Sequence, residues 1–305
     1  MSENNPVILL AGPTGVGKTE LSLKLAERLG TEVVNADSMQ VYRYMDIGTA
    51  KPSREERDRV RHHLLDIVDP DEAFDAARYL EFASPVVEAL HQQQKIPLVV
   101  GGTGLYMKVL TRGICPGAPA DREVRERLMI EEQGRGLGQL HEELSRVDPL
   151  LGDKIHPNDR QRILRALEVY RISGTPLSHW QKQHRFEKTR YRTIKIFLCR
   201  DREELYARIN QRVLDMMDMG FLDEVQRLLE MGYGPELKAM QSLGYKQLSE
   251  HLSDKSSLET AVYQIQRETR RYAKRQMTWF RGDPEFHWIN ARREEETLKL
   301  VESAV

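Results

Sequence analysis

The chain has 305 residues, 40% of them hydrophobic and 30% charged, the make-up of a globular protein with one large or two modest domains, which excludes wholesale disorder. Its 46 Lys and Arg nearly balance its 47 Asp and Glu, giving a net charge of −1, so a uniformly basic nucleic-acid binder is excluded while local basic patches are not. Cys115 and Cys199 lie far apart, which excludes a disulfide scaffold and a cysteine-based zinc site and suits a reducing cytosol. The N-terminal MSENN carries no positive segment of a secretory signal, and no apolar run approaches the roughly 18 residues of a membrane span, so a cytoplasmic protein without a membrane partner is expected.

Val7-Ile8-Leu9-Leu10-Ala11 is a continuous apolar run ending at Gly12, the pattern of a buried parallel strand. A helix follows over 18–29, with Leu21, Leu25 and Leu29 at helical spacing. Further strands are predicted at 32–36 and 63–68, then a long helix over 75–94 and a strand over 97–100 that ends in Gly101-Gly102. Such alternation predicts a doubly wound α/β domain. After Gly113 the pattern changes. Cys115-Pro116-Gly117-Ala118-Pro119 reads as a linker, and from Asp121 to about Arg190 only helical patterns occur. Thr193 to Leu198 then reads as a strand returning to the sheet, followed by helices over 202–219, 221–231 and about 256–281 and a charged helical tail over 292–302.

Gly12-Pro13-Thr14-Gly15-Val16-Gly17-Lys18-Thr19 matches GxxxxGK[ST] at every fixed position and sits between a predicted strand and a predicted helix. Inward-pointing N–H groups, the helix N-terminus and the Lys18 cation suit a polyphosphate, and Thr19 supplies a Mg2+ ligand. The fold class is therefore α/β, a P-loop NTPase-like parallel sheet core built from 1–113 and 191–305, with a helical insertion over 114–190. A carboxylate at a strand end is the next thing to look for. Asp37 and Asp66 both qualify, whereas the 97–100 strand ends in Gly-Gly-Thr-Gly without one. Asp37 can act as a general base, orient Mg2+ or merely cap a turn. Thr103 beside the glycine pair can meet a substrate or cap the next helix.

From Arg160 to Lys195 there are ten basic residues against two acids, Glu168 and Glu187, with Tyr170, Trp180 and Phe186 interspersed. From Arg267 to Arg281 there are six against one. These are either solvated helix faces or the footprint of a polyanion, with aromatics able to stack on unpaired bases. Gln161 and Arg165 share one helix face at i, i+4, while Ile163 and Leu164 turn elsewhere.

Six segments together resemble the bacterial tRNA dimethylallyltransferase, or tRNA isopentenyltransferase, family: GPTGVGKT at 12–19, NADSMQVY at 35–42, DIGTAKP at 46–52, GGTGLY at 101–106, NDRQRILRALEVY at 158–170 and KRQMTWFRG at 274–282. The resemblance implies transfer of a dimethylallyl group from its diphosphate to the N6 amine of adenosine 37, beside the anticodon of tRNA. It implies that the 12–19 loop and Arg212 hold the diphosphate, with Mg2+ at Thr19. Asp37 is the implied base on the adenine amine, and Thr103 the hydroxyl on the leaving oxygen. The segments Asp37-Ser38-Met39-Gln40 and Gln161-Arg162-Ile163-Leu164-Arg165, with Thr103 and Arg125, resemble the family's tRNA contacts. Met39 and Gln40 fill places that vary in that family. A monomer that meets the anticodon stem-loop of tRNA is expected. The other readings are a P-loop nucleoside or small-molecule kinase binding ATP, a non-enzymatic P-loop RNA binder, and a prenyltransferase acting on free adenine nucleotides.

Overall fold

Among the described residues six strands run in one direction and form one parallel sheet: β1 (Pro6–Ala11), β2 (Val33–Ala36), β3 (His62–His63), β4 (Leu98–Gly101), β5 (Arg192–Cys199) and β6 (His287–Asn290), in the order β3-β2-β4-β1-β5-β6. The computed structural model describes residues 6–115, 117, 120–184 and 189–304. The MSENN segment, the linker residues 116, 118 and 119, and Arg185, Phe186, Glu187 and Lys188 of the basic stretch lie outside the described residues.

The central strand β1 is buried along nearly its whole length, with Val7, Ile8, Leu9, Leu10 and Ala11 at most 1% exposed. Its alternating side chains feed two cores. Val7 and Leu9 pack with Val34, Val99 and Phe197 on one face, and Ile8 and Leu10 with Leu98, Ile196 and Leu198 on the other. A sheet covered on both faces needs such continuously apolar strands. The chain steps from β1 outward to β2 and β3, returns to β4 beside β1, and then crosses to β5 on β1's other side. The strand order reverses there, so the carboxyl ends of β1, β2 and β4 border a crevice.

The helices around the sheet include α1 (Lys18–Leu29), α2 (Arg54–Arg59), α3 (Ala76–Gln92) and α4 (Gly104–Arg112), then α10 (Arg202–Asp218), α11 (Phe221–Glu230), α12 (Tyr245–Leu252), α13 (Leu258–Arg281) and α14 (Glu294–Ala304). Asp75 caps α3 by accepting from Ala77 and Arg78 N–H, so the predicted 75–94 helix begins one residue later. The predicted 63–68 strand is a correction. Only His62–His63 pairs with β2, and Leu64 and Asp66 then adopt left-handed backbone at φ 62 and 55, which ends the ladder. The carbonyl of Leu64 accepts from the buried Asn35 amide at 3.2 Å, fixing the turn. Short α2, α4 and α12 and strand β6 carry too few periodic residues to stand out in the sequence.

Residues Arg112–Thr189 form a separate compact unit that contains, among the described residues, the helices α5 (Arg122–Arg135), α6 (Leu137–Val147), α7 (Pro149–Lys154), α8 (Arg160–Ser173) and α9 (Leu177–His184). Its core is Leu128, Leu140, Leu144, Leu151, Ile155, Ile163, Leu164, Ala166 and Leu167. Met1–Thr111 and Arg190–Val305 make the other unit. Among the described residues, no helix is long and apolar enough to cross a membrane.

Candidate active site

The crevice at the strand ends is a cavity of about 420 Å3 within the sheet unit. Its floor on one side is the loop from β1 to α1. Gly17 takes left-handed backbone at φ 105 and no side chain caps the start of α1, so the first N–H groups of that helix open toward the cavity. The loop is braced from outside by Arg200, whose Nε donates to Val16 O at 2.8 Å, and by Arg208, whose Nε donates to Gly15 O at 3.0 Å. Lys18 Nζ donates to the carbonyls of Gly12 at 2.8 Å and Pro13 at 2.9 Å. Burial first, and then the Arg212 guanidinium, pull its pKa down to about 8, with Asp37 opposing them. Arg212, from α10, lines the same cavity and is itself pulled down by burial and Arg208 while Asp37 supports it. Two desolvated cations at a helix N-terminus make a field built for an anion. Gly12, Pro13 and Val16 are buried in the loop, while Thr14, Gly15, Gly17, Lys18 and Thr19 line the cavity.

Asp37 faces this group from the end of β2. Asn35 accepts from the Asp37 N–H at 3.2 Å and donates to its carbonyl at 3.3 Å, while Asp37 Oδ1 accepts from Met39 N–H at 2.8 Å. The carboxylate therefore does cap a tight turn, but it also lines the cavity, as do Ser38, Met39 and Gln40. Thr103 lies behind that turn: its Oγ1 accepts from Ser38 N–H at 3.1 Å, and its own N–H donates to Ala36 O at 3.1 Å. Its carbonyl accepts from Tyr106 and Met107 N–H at the head of α4, while its hydroxyl serves the Ser38 turn. Asp66, the other carboxylate candidate, stays outside the cavity. It takes Lys51 at 2.6 Å and Arg57 at 2.8 Å in a structural ion-pair cluster.

Several further residues line the cavity. Ile265, Thr269, Tyr272 and Gln276 present one face of α13 to it at helical spacing, and of these only Gln276 falls within a motif segment, KRQMTWFRG. Burial and the Asp37 carboxylate push the Tyr272 hydroxyl's pKa up, so it stays protonated. Ile209, Val213, Met216, Phe221 and Leu243 make an apolar wall. The 46–52 loop is held by Glu224, buried on α11. It accepts from the N–H groups of Asp46, Ile47 and Gly48 at 2.9, 2.7 and 3.0 Å and from Tyr245 Oη at 2.6 Å. Gln40 Nε2 donates to Thr49 O and Ala50 O of that loop. A glutamate at an otherwise apolar helix position was the available clue.

In the helical unit, Gln161 and Arg162 are exposed and Arg165 and Arg125 half-buried, whereas Ile163 and Leu164 are fully buried core residues whose side chains have no surface to offer. Arg125 donates to Gln161 Oε1 at 3.0 Å, and Arg165 pairs with the buried Glu168 at 2.8 Å. The basic run is also less basic in space than in sequence. Arg160 pairs with Glu132, Arg171 with Glu131 and Glu143, and Lys195 with Asp283 and Glu285.

Fold and cavity define a P-loop α/β protein in which the phosphate loop shares one cavity with a carboxylate turn and an apolar wall. The model of the IPP transferase family matches residues 40–283. The tRNA dimethylallyltransferase of Syntrophobacter fumaroxidans is 67% identical over 94% of this chain and 84% of its own, and that of Geobacter sulfurreducens is 50% identical over 93% and 91%. Among solved structures, the full-length tRNA isopentenylpyrophosphate transferase of Bacillus halodurans superposes with a TM-score of 0.74 at 37% identity, covering 99% of this chain and 96% of its own. A eukaryotic dimethylallyltransferase acting on tRNA gives 0.80 at 31%, covering 94% and 74%. The chain belongs to the IPP transferase family.

Proposed function

We propose that this protein transfers the dimethylallyl group of dimethylallyl diphosphate to the N6 amine of adenosine 37 of tRNA, giving N6-isopentenyladenosine and inorganic diphosphate. The observation that carries the reading is the single cavity in which the Lys18–Arg212 cation pair faces Asp37. The curated relatives' shared activity supports it.

The exocyclic amine is a weak nucleophile because its lone pair is delocalised into the ring. It needs a base for its proton and an electrophile whose leaving group is neutralised. The N–H groups at the start of α1, Lys18 and Arg212 hold the diphosphate and stabilise the charge that develops as the C–O bond breaks. Asp37 accepts the N6 proton as the new C–N bond forms, and the C–O electron pair leaves on the diphosphate. Because Thr103 Oγ1 already accepts from Ser38 N–H, its O–H is the part left to donate to the leaving oxygen. The wall of Ile209, Val213, Met216 and Phe221 excludes water that would otherwise hydrolyse an allylic diphosphate.

Mg2+ fits this cavity. Thr19 lines it at the start of α1, and its hydroxyl together with oxygens of a diphosphate on the loop and water would suit Mg2+. Bound there, it would neutralise charge on the diphosphate.

A base stacked in an anticodon loop is out of reach, so adenosine 37 is flipped into the cavity past Ser38, Met39 and Gln40. Arg125 of α5 and Gln161, Arg162 and Arg165 of α8 grip the anticodon stem-loop, with Ile163 and Leu164 packing α8 into the core of the unit. Two unmodified tRNAs that differ only in adenosine or guanosine at position 37 test the reading. Labelled dimethylallyl diphosphate is expected to label the first and not the second. Equal labelling of both would refute the acceptor assignment.

A further inference from the structure

We infer that Gln276 is a positioning residue that ties the diphosphate loop to the Gly102–Thr103 turn and so fixes the distance between leaving group and acceptor base. The inference rests on the proposed prenyl transfer.

Along α13 the buried positions are Ala261, Ile265, Ala273, Gln276 and Phe280, a stripe in which a glutamine is the one amide. Gln276 is only 6% exposed. A buried amide at a core position costs free energy unless both its ends are bonded. Here both are: Oε1 accepts from Thr14 N–H at 3.0 Å and Nε2 donates to Gly102 O at 3.1 Å. Thr14 belongs to the phosphate loop after β1, and Gly102 to the turn after β4. One side chain thus spans two strand ends from a third element.

The link continues beyond Gly102. Its neighbour Thr103 receives the Ser38 N–H, and Asp37, next to Ser38, receives the Met39 N–H. Hydrogen bonds and peptide links therefore run from the phosphate loop to the Thr103 and Asp37 turn, with both polar ends of Gln276 spent on backbone groups. A β-carbon on Gly102 would lie 2.1 Å from Gln276 Nε2, so the glycine leaves the space in which the amide docks. Since the phosphate loop grips the diphosphate through its own N–H groups and Lys18, and the amine meets Asp37, loss of the link leaves each substrate's contacts in place. What it disturbs is their mutual geometry, on which the rate depends steeply.

The test is Gln276→Met, which keeps length and apolar volume and removes both bonds, together with Gly102→Ala, which displaces the amide from the other side, and the double variant. Steady-state transfer to tRNA is measured on the full chain, with thermal melting as the control for folding. For each single variant kcat is expected to fall roughly 10- to 100-fold, with KM for dimethylallyl diphosphate and for tRNA each within about threefold of wild type. The double variant is expected to be no slower than the slower single, because both changes cut one link. A folded Gln276→Met protein with wild-type kcat overturns the inference, as does a loss confined to the KM for tRNA or multiplicative losses in the double variant. Should Gln276→Met not fold, Gly102→Ala carries the same two outcomes. A wild-type chain that transfers no prenyl group to tRNA overturns the functional reading instead, and the inference with it.

Discussion

Raising the pH through the range in which Lys18 titrates is expected to weaken binding of a prenyl diphosphate. Burial and Arg212 bring the free lysine's pKa from 10.5 to about 8. The sign follows from linkage. Between those values the unfolded chain binds more protons than the folded one, so the charged lysine costs stability that is recovered as the pH rises through 8 toward 10.5. A bound diphosphate reverses the balance, because it favours the charged form. With the ligand taking only the ammonium form, that form falls from about nine-tenths at pH 7 to about one-tenth at pH 9, and affinity falls about tenfold. Binding near pH 9 is therefore accompanied by uptake of a proton. Lys18→Arg supplies the control, since a guanidinium does not titrate in this range and Arg212 likewise stays charged. Calorimetry with a non-reacting thio analogue of dimethylallyl diphosphate, in buffers of different ionisation enthalpy, reads both quantities. Ionisation of the diphosphate itself is common to the two proteins and cancels in their ratio. A pH dependence identical in wild type and Lys18→Arg would refute the reasoning.

Asp37→Asn keeps shape and removes the base, so kcat is expected to fall roughly 10²- to 10⁴-fold with tRNA affinity unchanged in a filter-binding assay. Glu224→Gln weakens the acceptor of three backbone N–H groups and the Tyr245 hydroxyl; thermal or urea unfolding is expected to show a loss of about 2–4 kcal/mol. In the helical unit, Arg162 is the cleaner probe of RNA contact: Arg162→Ala is expected to reduce the salt slope of tRNA binding by about one with an unchanged melting temperature. Arg165→Ala instead strips a partner from the buried Glu168 and is expected to cost about 1–3 kcal/mol of stability, read by the same melt, alongside any effect on RNA.

The parts of the fold written in local pattern were legible in the sequence. β1 is an unbroken apolar run, the 12–19 loop a fixed spacing, and α1 and α10 have helical periodicity, so the P-loop core with its helical insertion follows from them. The third strand was not legible, because what ends it after His63 is a pair of left-handed residues held by Asn35, Lys51 and Arg57 from distant segments. Charge was only partly legible for the same reason. The basic run over 160–195 counts only neighbours in sequence, whereas Glu131, Glu132, Glu143, Asp283 and Glu285 neutralise much of it in space. Asp37 and Thr103 could be singled out at strand ends. Tyr272 and Thr269 could not, and Gln276, although inside KRQMTWFRG, could not be tied to the cavity, because the helix that brings them there starts more than 200 residues further along the chain than Asp37.

The central claim is that the phosphate loop holds a leaving group and that carbon, not phosphorus, is transferred. Dimethylallyl diphosphate labelled separately in its prenyl carbons and in its β-phosphate, incubated with the protein, Mg2+ and unmodified tRNA, tests this directly. The carbon label is expected on adenosine 37 and the phosphorus label in released inorganic diphosphate. Phosphorus label on an acceptor, or carbon label on a free adenine nucleotide with none on tRNA, would contradict the account.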